Sequence, residues 1–180
     1  VVELPFLFES AEEASRVMWR LFDEHPALQE EYSEVKVMGF WLTDGGEILS
    51  KDLVQTPSDL NGKRIRFSGP MQETLVDSLG GVPVGMSAPE MYDALERGIV
   101  DGVTIGYSTI GSYRLHEVID NVTSGLGMFA SSQAVFMNQE TWNSLSAEDQ
   151  ELISRLTEER MAIQGGQVYD AGEQRGRDLA

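Results

Sequence analysis

The run Lys63-Arg64-Ile65-Arg66-Phe67 is strand-like and leads straight into Ser68-Gly69-Pro70. Alternation puts Ile65 and Phe67 on one face and Arg64 and Arg66 on the other. Open α/β sheets take their ligands at the carboxyl ends of strands. A guanidinium at such an end is a planar fork that matches a carboxylate with two hydrogen bonds. Arg66 is therefore a candidate anion receptor. The competing reading is an ordinary ion pair with one of the chain's many acids.

Other residues offer less chemistry. Ser87 and Glu90 have capping-box spacing at a helix start. Free N–H groups there favour anions, but Glu90 already brings a negative side chain, which favours a plain capped helix. Asp101-Gly102 follows a strand, yet no second carboxylate or histidine stands at ligand spacing, so a structural turn is expected. His25 and His116 are isolated and read as helix-end or interface residues. The sequence has no nucleophile elbow, no phosphate-binding glycine loop and no dinucleotide fingerprint. No nucleophile, base and orienting group come together, so no catalytic residue, metal ligand or cofactor site is expected. Among the aromatics, Phe40, Trp41, Tyr107, Tyr113 and Phe129 are core by default. Trp41, Tyr107 and Phe129 lie where the chain leaves a strand, in positions to line a cleft.

Composition narrows the partners. The 180 residues carry 13 basic and 30 acidic side chains, a net charge of −17. That argues against nucleic acid and anionic membrane surfaces. The absence of cysteine excludes disulfides, zinc–thiolate sites and cysteine nucleophiles. No apolar run approaches the ~18 residues needed to span a bilayer. Both ends read as cuts inside a larger fold, an expectation only.

The elements that would position these residues alternate. Val1–Leu4 reads as a strand end. Ser10 and Glu13 form a capping box for a helix that stops near His25-Pro26. A short helix over Leu28–Tyr32 precedes a strand over Val35–Trp41 and a turn at Asp44-Gly45-Gly46. Thr56-Pro57-Ser58-Asp59 is a helix-start signal. Strands follow at Lys63–Phe67, Val82–Met86 and Val100–Ile105, separated by helices over Met71–Leu79 and Ala88–Arg97. Tyr107–Val118 carries mixed helical signals. A strand at Gln133–Met137, a helix at Gln139–Leu145 and a long helix capped by Ser146 and Asp149 close the chain. Such alternation predicts an α/β fold with a mostly parallel sheet and helices on both faces.

The stretches DLNGKRIRFSG, LGGVPVGMSAPEMYDALERGIVDGV, SYRLHEVIDNVTS and AVFMNQETWNSLSAEDQELI, with the opening VELPFLF, resemble the DctP-type solute-binding proteins of TRAP (tripartite ATP-independent periplasmic) transporters. The resemblance implies a two-lobed, type II periplasmic-binding-protein-like fold, truncated at both ends. Lobe I would combine 1–43 with 129–180 and lobe II would be 44–128, with crossover strands near 38–43 and 121–129. It implies a protein of the periplasm of a Gram-negative bacterium, without direct membrane insertion. That protein would close on a small organic acid and deliver it to the TRAP permease membrane subunits. Arg66 falls on the family's carboxylate-binding arginine. Ile105 and Tyr107 fall in a loop, Thr104–Tyr107, facing the ligand, and Ala88 takes the place of a ligand-stacking aromatic. Trp41 and Phe129 would add to the lining. A second arginine of the sialic-acid-binding members aligns near Gly46 and is absent, so a monocarboxylate with an apolar or weakly polar body fits better. A sensor-input domain of the same fold, or an α/β enzyme acting on small acids, are the alternatives.

Overall fold

A computed structural model describes residues 3–180. The strand end expected at Val1–Leu4 falls in part on Val1 and Val2, outside the described residues; Glu3 and Leu4 lie in a turn and a bend. The chain forms two compact units, Val1–Asp44 with Ala130–Asp170, and Gly45–Phe129 with Ala171–Ala180.

In the first unit, helix α1 (Ala11–Glu24) starts at Ser10, whose hydroxyl accepts the Glu13 N–H. Glu13 reaches past the cap to the Glu9 N–H, so the box is only half closed. Helix α2 (Pro26–Glu31) has proline in its first turn, where a missing N–H costs nothing. Strand β1 (Val35–Leu42) is covered by α1, and Phe40 meets the rings of Phe22, Tyr32 and Phe136.

The second unit holds the sheet that carries Arg66. Strand β2 (Gly46–Ser50) is fully buried. A 3₁₀ turn (Pro57–Leu60) with a Thr56/Asp59 capping box leads to β3 (Arg64–Phe67). Helix α3 (Pro70–Ser78) returns the chain to β4 (Val82–Gly85), the reversal running through Gly80 at φ +86. A 3₁₀ turn (Ala88–Glu90) and α4 (Met91–Glu96) lead to β5 (Gly102–Gly106). Helix α5 (Thr109–Ser112), a 3₁₀ turn (Leu115–Glu117) and β6 (Asn121–Thr123) complete the unit's elements apart from its terminal helix turns. The remainder of the first unit is β7 (Ser132–Asn138), paired antiparallel with β1, then α6 (Gln139–Ser144), α7 (Ala147–Leu156) and the first turns of α8 (Glu158–Leu179). Residues 171–180 count with the second unit.

The five strands stand in the order β4-β3-β5-β2-β6. β3 is parallel to both neighbours, while β2 is antiparallel to β5 and β6. The expected parallel character therefore holds for β4-β3-β5, and the sheet as a whole is mixed. The difference comes from β2. No strand is expected there from the sequence, where Asp44-Gly45-Gly46 reads as a turn; Gly46 instead opens the strand and Glu47 is buried within it. β2 enters beside β5 without a preceding crossover helix, and so runs the other way.

Two buried clusters sandwich this sheet. One holds Leu49, Met91, Leu95, Val103, Tyr107 and Ile110; the other holds Ile48, Ile65, Val76, Met128 and Phe129. Gly46 is obligatory here: a Cβ on it would lie 2.3 Å from two Phe129 ring carbons. Gly46→Ala in the full chain is expected to cost about 1–3 kcal/mol through overpacking, read as a lower denaturation midpoint. The cost should shrink in a Phe129→Leu background; equal costs in both backgrounds would break the link between the two residues.

Candidate functional site at the carboxyl strand ends

Arg66 is the penultimate residue of the central parallel strand, opposite Val84 on one side and Val103 on the other. Its side chain is 98% buried, at 2% exposure. Nε donates to the Met86 carbonyl at 3.0 Å, just beyond β4, and Nη1 donates to the Thr104 carbonyl at 3.4 Å on β5. The guanidinium is thus held by two neutral acceptors, one just after β4 and one midway along β5. Five N–H groups minus those two leaves three, both on Nη2 and one on Nη1. Among the described residues no carboxylate forms an ion pair with it. Burial pulls its pKa down from the ordinary value, opposed by the fields of Tyr113 and Glu90. An arginine is not deprotonated in proteins, so this is a buried, unneutralised cation, an arrangement that is expensive unless an anion completes it.

Arg64, two residues earlier, is the structural member of the pair. Asp101 accepts from the Arg64 main-chain N–H at 2.8 Å, from Nε at 3.1 Å and from Nη2 at 2.8 Å. The Arg64 hydrogen bonds hold the Asp101 carboxyl below its usual range. Ser87 and Glu90 close the capping box, and the Ser87 hydroxyl and N–H lower the Glu90 pKa.

The remaining sequence-predicted residues are placed as follows. Ala88 opens the 3₁₀ turn after Met86 and packs, partly buried, on the Leu49–Val103 cluster, as does Ile105. Tyr107 belongs to that cluster and is 6% exposed; the Arg177 guanidinium stacks on its ring at 4.2 Å. Phe129 is equally buried, in the Ile48–Ile65 cluster over Gly46. Arg66, Ala88, Ile105, Tyr107 and Phe129 all belong to the second unit. Trp41 belongs to the first, where its ring covers Gly165 closely enough to leave no room for a Cβ.

Gln72 and Glu47 are buried polar residues that escaped the sequence reading, while Thr104 opens the loop Thr104–Tyr107 expected to face the ligand. Gln72 and Thr104 form a network with Arg66: the Thr104 hydroxyl lies 2.9 Å from the Arg66 carbonyl and 3.2 Å from Gln72 Oε1. Glu47, 3% exposed, accepts the Gly125 N–H at 3.1 Å and the Leu126 N–H at 2.8 Å. Burial raises its pKa, and those N–H groups and Arg177 act against the rise. The available signals were a polar residue heading the apolar stripe Leu75-Val76-Leu79, and a single polar residue inside the apolar run of β2.

Residues 1–175 match the family described as bacterial extracellular solute-binding protein, family 7 (DctP). The chain belongs to the DctP family. It is 29% identical over 151 residues to the C4-dicarboxylate-binding periplasmic protein DctP of Rhodobacter capsulatus, covering 82% of this chain and 44% of that one. A marine metagenome TRAP solute-binding protein described as specific for aromatic acid ligands, solved with metahydroxyphenylacetate, superposes with a TM-score of 0.90. It is 27% identical, over 99% of this chain and 57% of its own. A TRAP periplasmic solute-binding protein of Bordetella bronchiseptica with bound (R)- and (S)-mandelate gives the same TM-score at 26% identity, over 99% and 57%. The chain spans about half the length of the curated relatives it matches. These DctP relatives are solute-binding proteins of a two-lobed fold, and among the described residues no helix is long and apolar enough to cross a membrane.

The ion pair at Asp101 gives a pH prediction. A carboxyl held below its ordinary pKa of 3.8 adds stability that is present above that pH and lost as pH falls through the lowered value. Asp101→Asn in the full chain should lower the melting temperature at neutral pH and flatten its decline below pH 3.8. Parallel acid limbs in the two proteins would show that Asp101 is not stabilised by Arg64.

Proposed function

We propose that this DctP chain is the ligand-gripping part of an extracytoplasmic solute-binding protein that captures a small organic acid and delivers it to a TRAP permease in the membrane. The ligand class is a monocarboxylate with an aromatic or otherwise apolar body. The observation that carries the reading is Arg66: a buried guanidinium on two carbonyls, with three N–H groups left over and no acid paired with it among the described residues.

The surroundings support one anion and an apolar remainder. Arg66 is the one cation among the buried charged groups described. Val84, Met86, Ala88, Ile105, Tyr107 and Tyr113 pack as one apolar group beside it. A dicarboxylate would need a second cation to offset its second charge. The aromatic acids bound by the two structural relatives have one carboxylate each and a ring. The two-lobe reading, 1–43 with 129–180 and 44–128, stays part of the proposal, with the acid gripped from the 44–128 side. Trp41, Ala88, Ile105, Tyr107 and Phe129 remain the proposed lining residues.

Titration calorimetry of the full chain with benzoate, mandelate and succinate tests this. Wild type should bind an aromatic monocarboxylate in preference to succinate. Arg66→Ala should lose about 2–5 kcal/mol of binding, at least thirtyfold in affinity. Arg66→Lys should also bind weakly, because a point charge cannot replace the fork. Wild-type affinity in Arg66→Ala would remove the basis of the reading.

A further inference from the structure

We propose that Glu90 sets the charge selectivity of the anion site, its carboxylate standing one peptide group behind the Arg66 guanidinium and favouring a singly charged acid over a doubly charged one. The inference rests on the reading of Arg66 as the carboxylate receptor.

Register puts both residues on one side of the sheet. Arg66 stands opposite Val84 on β4 and Val103 on β5, and Val103 stands opposite Leu49 on β2. The Arg66 side chain therefore leaves the sheet on the side of the Leu49–Val103 cluster. Ala88 and Met91, which flank Glu90 along the chain, pack on that same cluster.

A single peptide group joins the two charges. Its carbonyl, from Met86, accepts Arg66 Nε at 3.0 Å. Its N–H, from Ser87, donates to Glu90 Oε2 at 2.9 Å, and the Ser87 hydroxyl donates to the same oxygen. No cis peptide bond is present among the described residues, so this carbonyl and N–H point in opposite directions, with a charge at each end. Bonds of about 1.23 and 1.33 Å separate that oxygen from that nitrogen. The distance from Nε to Oε2 is thereby capped at about 8.5 Å.

Glu90 forms no ion pair with Arg66. It nevertheless lies inside the ~10 Å over which charges are felt at 0.1 M salt. The influence is mutual. After the two Ser87 hydrogen bonds, Arg66 helps to lower the Glu90 pKa. Burial pulls Arg66 down, and Glu90, after Tyr113, opposes it.

The open fork grips one carboxylate, whatever the acid. The Glu90 field acts on every negative charge brought in, so its repulsion counts twice for a dicarboxylate while the fork's gain counts once. The same hydrogen-bonded chain polarises the Met86 carbonyl, which steadies Nε without neutralising the guanidinium. Capping is the competing role for Glu90. A capping box accepts glutamine as well as glutamate at this position, so charge and cap are separable.

The test compares Glu90→Gln with wild type in the full chain, by calorimetry with benzoate and by displacement of benzoate with succinate, at about 20 mM and about 500 mM salt. Asp77→Asn is the control. It removes the same charge from α3, whose Val76 packs on the opposite face of the sheet. Glu90→Gln should melt like wild type. At low salt it should bind benzoate roughly two- to fivefold more tightly, and succinate by a larger factor. Both gains should shrink at high salt, and Asp77→Asn should show neither. A lowered melting midpoint with weaker binding would reduce Glu90 to a cap and overturn the inference. Unchanged affinities, an equal gain for the two acids, or the same gain in Asp77→Asn would overturn it as well. If Arg66→Ala abolishes binding while Glu90→Gln binds both acids as wild type does, only the role of Glu90 fails. If wild type binds neither acid, or Arg66→Ala binds normally, the reading beneath it fails and takes Glu90 with it.

Discussion

A cation enclosed without a counter-charge constrains the whole second unit. Taking a guanidinium out of water is costly, and two carbonyl acceptors recover only part of that cost. The sheet must therefore be rigid enough to hold Arg66 in place while its fork stays open. Parallel pairing on both sides of β3 does this: the residue after β4 and the middle of β5 present the Met86 and Thr104 carbonyls to the Arg66 side chain. An edge strand would offer one such neighbour and leave the guanidinium free to swing.

The antiparallel entry of β2 then matters for a different reason. It covers the far side of β5, so the central strands are buried on both edges, and Glu47 is buried with it. Glu47 spends its charge on the Gly125 and Leu126 N–H groups rather than on a distant cation. That fixes the segment leading to Phe129, whose ring occupies the space a side chain at position 46 would need. The sheet thus keeps its buried acid and its buried cation on separate partners, which preserves the one at Arg66 for a ligand.

Much of this was legible in the residues. The caps at Ser10, Thr56, Ser87 and Ser146, and the stops at Gly80 and Gly98, mark helix and turn boundaries because they rest on local backbone chemistry. The strand Arg64–Phe67 was legible from alternation alone, and its two arginines were separable only in part: facing is local, but partnership is not. That Arg64 takes Asp101 while Arg66 takes carbonyls depends on strand order across 37 residues of sequence. The same non-locality hid β2, Gln72 and Glu47. Each is a polar residue, or carries one, whose burial is decided by what the sheet brings next to it. The mixed sheet followed from the same cause.

The acidity of the chain sharpens the meaning of Arg66's isolation. With 30 acidic residues against 13 basic ones, a partner carboxylate is the easiest thing for an arginine to acquire. Arg16, Lys36, Lys63, Arg64, Arg114, Arg155 and Arg177 all have one, and all are at least partly exposed. Those surface pairs are individually weak and screened by salt. The one arginine for which a pair would contribute most, because it is buried, is held instead by dipoles. An internal carboxylate at that position would stabilise the empty protein and compete directly with any acid that entered. Carbonyls orient the fork without neutralising it, so the free energy of completing the ion pair remains available to the ligand.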